Sequence, residues 1–104
     1  MKNKKYFRVE DTPYHKGKFV VQGLKPFYDY VGFTDSSYNV YQARAFGLTY
    51  GSYLKMARDL YNGTIIGKGH KYPMVIFDNE EDVKRLVDEL NIRFNYLVNH
   101  YYEN

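Results

Sequence analysis

The chain has 104 residues, no cysteine, 44% hydrophobic and 19% aromatic residues, and a formal net charge of +3. That length favours a single domain over residues 1–104, large enough to bury a core without staples. The absence of cysteine excludes disulfides, thiolate catalysis and cysteine-based zinc sites. No run approaches the ~20 apolar residues that a membrane span needs. The start Met1–Asp11 is basic but lacks an apolar run, so it does not read as an export signal, and a cytoplasmic protein is expected.

Residues 5–10 and 18–23 are rich in aromatic and β-branched residues and read as two strands. The segment between them carries Pro13 and Gly17 and reads as the loop of a hairpin. Residues 24–38 stay open between a short strand and an irregular aromatic stretch, with Leu24-Lys25-Pro26 as a break. From Asn39 the pattern turns helical. Asn39–Phe46 reads as a short helix ended by Gly47. A second helix is expected from Thr49, its N-cap, to about Tyr61. Its apolar stripe is Tyr50, Tyr53, Leu54, Ala57, Leu60 and Tyr61. Asn62-Gly63 ends it. Thr64–Ile66 and Tyr72–Phe77 flank a Gly- and Lys-rich loop and read as a second hairpin, with Pro73 at a strand start.

The last element is a long helix capped by Asp78 or Asn79, with Glu81 as a capping-box partner of Asp78 by position. Its apolar residues are Val83, Leu86, Val87, Leu90, Phe94, Leu97, Val98 and Tyr101. Six of them follow a heptad seam, but Leu86 and Val98 widen the stripe. A wide stripe suits packing on the domain's own core; a homodimer through this helix is the alternative. The fold class expected is therefore α+β: two β-hairpins, a central helix pair and a long C-terminal helix.

Thirteen Tyr and seven Phe stand against no Trp. Tyr keeps a hydroxyl beside an apolar ring, so some of these rings are expected on a surface. The bland reading is a codon bias, since Tyr, Asn, Lys, Ile and Phe have AT-rich codons. Charge is unevenly placed. Residues 1–77 hold 12 basic and 5 acidic residues, while residues 78–104 hold 3 basic and 7 acidic. A basic body points to an anionic partner. The acids near Asp78 suit a helix N-terminus instead.

Residues 39–56 carry the most specific pattern. A helix-turn-helix needs a small residue where its helices cross, a Gly-type turn four residues later, and apolar anchors in the second helix. Ala43 and Gly47 have that step, Phe46 and Leu48 flank the turn, and Tyr53 and Met56 fall where the second helix anchors. Over about residues 39–62 the segment resembles the helix-turn-helix motif. Its departures are bulky Tyr53, helix-loosening Gly51 and a short first helix. The alternative is an ordinary αα-hairpin with a tight glycine turn. The resemblance implies that Thr49, Ser52, Lys55 and Arg58 face DNA.

The loop after the helix pair sits where a winged helix carries its wing, and its Lys68, His70 and Lys71 would lie along phosphates. Lys2, Lys4, Lys5 and Arg8 of the N-terminal arm offer further cations. The loop does not match a P-loop, because Lys68 is followed by Gly69 and the spacing from Gly63 is short. His15, His70 and His100 lack metal-ligand spacing. No converging carboxylates mark a catalytic centre, so neither an enzyme nor a cofactor is expected, and a His70 general acid–base site is a minor alternative.

Two functions follow. The first is a small non-enzymatic DNA-binding regulatory protein of a phage or mobile element. The second is an inhibitor or adaptor that binds a host protein, such as a defence nuclease, through Phe27, Tyr28, Tyr30, Phe33, Tyr38 and Tyr41.

Overall fold

A computed structural model describes residues 4–12, 15–31, 42–67 and 73–102. Strands β1 (Phe7–Asp11) and β2 (Phe19–Gly23) pair antiparallel, from Phe7 opposite Gly23 to Asp11 opposite Phe19. Helix α1 (Lys25–Val31) follows at once. The backbone amides of Phe27 and Tyr28 donate to the carbonyl of Leu24. Pro26 therefore lies in the first turn, where its missing N–H is not needed and its fixed φ suits the helix. The expected break is a helix start.

Residues 42–45 are helical, and helix α2 spans Tyr50–Tyr61. Strands β3 (Thr64–Ile66) and β4 (Met74–Ile76) form the second hairpin, with Ile66 opposite Met74. Helix α3 (Glu80–Leu97) closes the fold and runs into a π-helical turn at Val98–Tyr102. The architecture is the α+β one expected. The two hairpins are also linked: Phe19 and Phe77 exchange both backbone hydrogen bonds, at 2.8 and 2.9 Å.

The α3 stripe faces inward. Val83, Leu86, Val87, Leu90, Phe94 and Val98 are buried, and Leu97 packs against the core from its edge. Five of the six seam residues, Val83, Val87, Leu90, Phe94 and Leu97, thus serve the domain's own core. Phe94 meets the rings of Tyr6, Phe7 and Phe27 at centroid distances of 4.8, 5.7 and 5.2 Å. Tilted and edge-on pairs of this kind add stability beyond area burial.

The acids at the start of α3 behave as a helix terminus demands. Asn79 is the N-cap, its side chain accepting from the Glu81 amide at 2.9 Å. Glu80, Glu81 and Asp82 occupy the first turn, where the dipole favours them. Asp78 does not cap; it pairs with Lys18 of the first hairpin's loop, so the expected Asp78–Glu81 box does not form.

Candidate nucleic-acid interface

The turn between the two central helices is built by backbone rules. Gly47 has φ +68°, a left-handed conformation that glycine adopts without strain. The Leu48 amide donates to Ala43 O and the Gly47 amide to Arg44 O, both at 2.9 Å. These two bonds make a Schellman ending, which satisfies carbonyls left over by the first helix. Ala43 is 1% exposed and belongs to the core, as a small residue at a helix crossing would.

Helix α2 then starts at Thr49. The Ser52 amide donates to the Thr49 hydroxyl oxygen at 3.3 Å, and that hydroxyl donates to the Ser52 hydroxyl at 2.9 Å. Tyr53, Leu54 and Ala57 are buried, while Tyr50, Met56 and Tyr61 pack against the core. The Tyr53 phenol donates to Gln42 Oε1 at 2.6 Å. Burial pushes this phenol far above its ordinary pKa, and Tyr61 adds to the shift. Tyr53 thus anchors the second helix to the first, and its bulk is accommodated by a buried hydrogen bond. Leu60 departs from the expected stripe: it is 64% exposed.

Thr49, Ser52, Lys55 and Arg58 are all exposed, as the helix-turn-helix reading requires of an outward face. Gly51 belongs to the same face, and nothing lies within 4 Å of where its Cβ would stand. The outward side of the N-terminal half of α2 is therefore uncovered. Its first turn carries no acidic residue. Asp59 is a further member of the face. Arg58 Nε and Nη2 donate to Asp59 Oδ1 and Oδ2 at 2.8 and 3.3 Å. The hydrogen bond from Arg58 holds the Asp59 carboxyl below the usual carboxylate range and raises the guanidinium in turn. In the sequence Asp59 looks isolated; its position beside Arg58 on the outward stripe was the available signal.

The second hairpin is tied to this helix. The Tyr50 hydroxyl donates to the backbone carbonyl of Pro73, the residue that leads from the hairpin loop into β4. Lys68, His70 and Lys71 lie outside the described residues. The bond ties Pro73, which follows that segment, to the first turn of α2. At the other end of α2, Arg85 of α3 donates to the Leu60 carbonyl at 3.4 Å and covers the Tyr61 ring at 5.0 Å.

Of the aromatic residues expected on a surface, Phe27 departs from that reading. Phe27 is 0% exposed and sits 4.7 Å from Phe7 in the core. Tyr28 is half-buried against the same core. Tyr30 is described by its backbone alone, and Phe33, Tyr38 and Tyr41 lie outside the described residues. In the N-terminal arm, Lys4 and Lys5 are exposed, while Arg8 bonds Glu10 and Gln22 within its own sheet. Lys2 lies outside the described residues.

Exposed apolar side chains stand elsewhere. Ile92 and Tyr96 are 64% and 58% exposed, four residues apart on α3. They border an open groove of about 480 Å³ against the Arg44–Gly47 turn. Arg93 spans that groove, pairing with Glu89 at 2.7 Å and covering the Phe46 ring at 4.5 Å. His100 stacks on Tyr96 at 4.0 Å.

Among the described residues no cluster of His, Asp or Glu has the form of a metal site. No described helix is long and apolar enough to cross a membrane. Compared with known proteins, the chain matches no family model, no curated protein and no solved structure at a significant level.

Proposed function

We propose that this chain is a small, non-enzymatic, cytoplasmic DNA-binding regulator of the kind a phage or mobile element encodes. The outward face of α2 would enter the major groove, and the loop carrying Lys68, His70 and Lys71 would lie along the flanking phosphates. One observation carries the reading: the Tyr50 hydroxyl bonds Pro73, the residue that follows the basic segment, at the first turn of the exposed helix. On this reading the loop would flank the helix as a wing does. The left-handed Gly47 and the buried Ala43 support it, because the motif calls for a glycine-type turn and a small residue at the crossing.

The test is fluorescence anisotropy with random-sequence duplex DNA between about 50 and 200 mM salt. A surface that meets several phosphates should lose affinity by orders of magnitude over that range, with a shallower dependence in Lys55→Ala. No binding at the lowest salt would overturn the reading.

A protein partner is the second reading, and among the described residues its support lies on α3. Ile92 and Tyr96 form an exposed apolar ridge beside a groove, on the side opposite the seam residues. Either a host protein or a second copy of the chain would cover it. Sedimentation over a range of protein concentration separates these, with Ile92→Glu as the variant that should abolish any self-association.

A further inference from the structure

The outward face of α2 holds no aromatic ring. Tyr50 is half-buried and bonded to Pro73, Tyr53 is buried, and Tyr61 lies half-buried under Arg85. Proteins that track single strands stack bases on exposed rings. This face offers small polar side chains, an open glycine and two cations instead, which suits the groove of a duplex.

The two cations are not equivalent. Lys55 is an exposed ammonium, which acts on a phosphate as a point charge. Arg58 is a planar fork already engaged along one edge. Its Nε and Nη2 point at the two oxygens of Asp59. That leaves the Nη1 end of the guanidinium, with the second Nη2 hydrogen, as a free pair of parallel donors. Two parallel donors match the O6 and N7 acceptors of guanine in the major groove. A phosphate is a poorer partner for the same group, because the Asp59 carboxylate already offsets the charge and repels a second anion. An uncharged base edge meets no such repulsion.

We propose that Arg58 reads a guanine edge in duplex DNA and that Asp59 is its positioning residue; the proposal rests on the DNA-binding reading above. Arg58 would then supply sequence preference with little salt dependence, and Lys55 salt dependence with little preference.

The experiment is selection of binding sites from duplexes with a randomised central segment. Affinities of the selected site, and of the same site with its guanine replaced, are then measured for the wild type and five variants. Loss of a bidentate guanine contact should cost about 5- to 150-fold. Arg58→Ala should lose that discrimination while keeping the slope of affinity against salt. Arg58→Lys should lose it too, since an ammonium has no fork. Asp59→Ala should keep binding but accept other bases at that position, with a steeper salt slope. Asp59→Glu should restore part of the preference. Lys55→Ala should leave the preference intact and make the salt slope shallower by about 0.9. If the wild type binds duplexes but its selected site is unchanged in Arg58→Ala or Asp59→Ala, this assignment is wrong and the DNA-binding reading survives. If the wild type binds no duplex at low salt, both fall.

Discussion

Asn91 serves Phe7 as a neighbouring strand would. Its side-chain oxygen accepts from the Phe7 amide at 3.0 Å and its side-chain nitrogen donates to the Phe7 carbonyl at 3.1 Å. The same oxygen accepts from the Tyr6 amide at 2.8 Å. One turn on, Asn95 repeats the arrangement with Lys4, at 2.9 and 2.8 Å. Two side chains of α3 thus bond the backbone at the start of β1 and just before it. Phe7 and Tyr6 are each 1% exposed, so water is poorly placed to replace these bonds. Leaving a buried donor unpaired costs about 1–3 kcal/mol. We expect Asn91→Ala to destabilise the fold by about 2–3 kcal/mol in urea titration. A loss below about 0.5 kcal/mol would mean that water or a shift of β1 supplies the bonds.

These asparagines also show what the sequence conceals. The apolar spacing of α3 is regular enough to reveal the helix and its inward face, and that face is buried. Asn91 and Asn95 lie beside that stripe, where polar residues read as solvated; only their spacing of four residues hints at a shared partner. The turn at Gly47 was legible because few residues tolerate its backbone. Helix α1 was not, since a proline reads as a break until its place in the first turn is known. Phe27 was misplaced for the same reason: without that helix, its direction into the core has no basis. Leu60 sits at the margin of its stripe, and apolar type alone does not decide which way a marginal position turns.

Three glycines should respond differently to alanine. At Gly63 a Cβ would stand 2.3 Å from Val75 Cγ1 and 3.2 Å from the Ala57 carbonyl oxygen. The hairpin β3–β4 packs against α2 there, so Gly63→Ala should cost about 1–3 kcal/mol as overpacking. At Gly47 there is room, but φ is +68°. Gly47→Ala should cost about 1–2 kcal/mol from the backbone alone, and Gly47→Asn should cost less. Gly51 is helical, with open space around it. Gly51→Ala should stabilise α2 by up to about 1 kcal/mol. Thermal or urea melts of the three variants check the order.

Removing the Tyr50 hydroxyl separates stability from function. Tyr50→Phe keeps the ring in the core and deletes its bond to Pro73. The stability loss should be modest, about 1 kcal/mol. Duplex affinity should fall by more than that loss explains, since most chains remain folded while Pro73, which follows the basic segment, loses its tie to α2. Anisotropy at low salt on the folded variant gives the answer. Unchanged affinity would mean that the loop does not depend on this bond for its place on the DNA.

The buried Tyr53 should make the fold less stable at alkaline pH. Its phenol is neutral in the folded chain, donates to Gln42 Oε1, and has its pKa raised by burial. In the unfolded chain a tyrosine titrates near its model value of about 10. Below that pH both states hold the proton, and the contribution is fully present. Above it the unfolded state releases a proton that the folded state keeps, so stability falls as pH rises. The slope from this one residue is about 1.4 kcal/mol per pH unit. Tyr53→Phe removes that slope. It also leaves Gln42, 1% exposed and with its Nε2 already unpartnered, without a donor to its oxygen, at a cost of about 1–3 kcal/mol near neutrality. The variant should therefore start less stable and decline less steeply. Urea midpoints from pH 7 to 11 for the two proteins measure both effects, and parallel curves above pH ~10 would show that Tyr53 ionises without unfolding the chain.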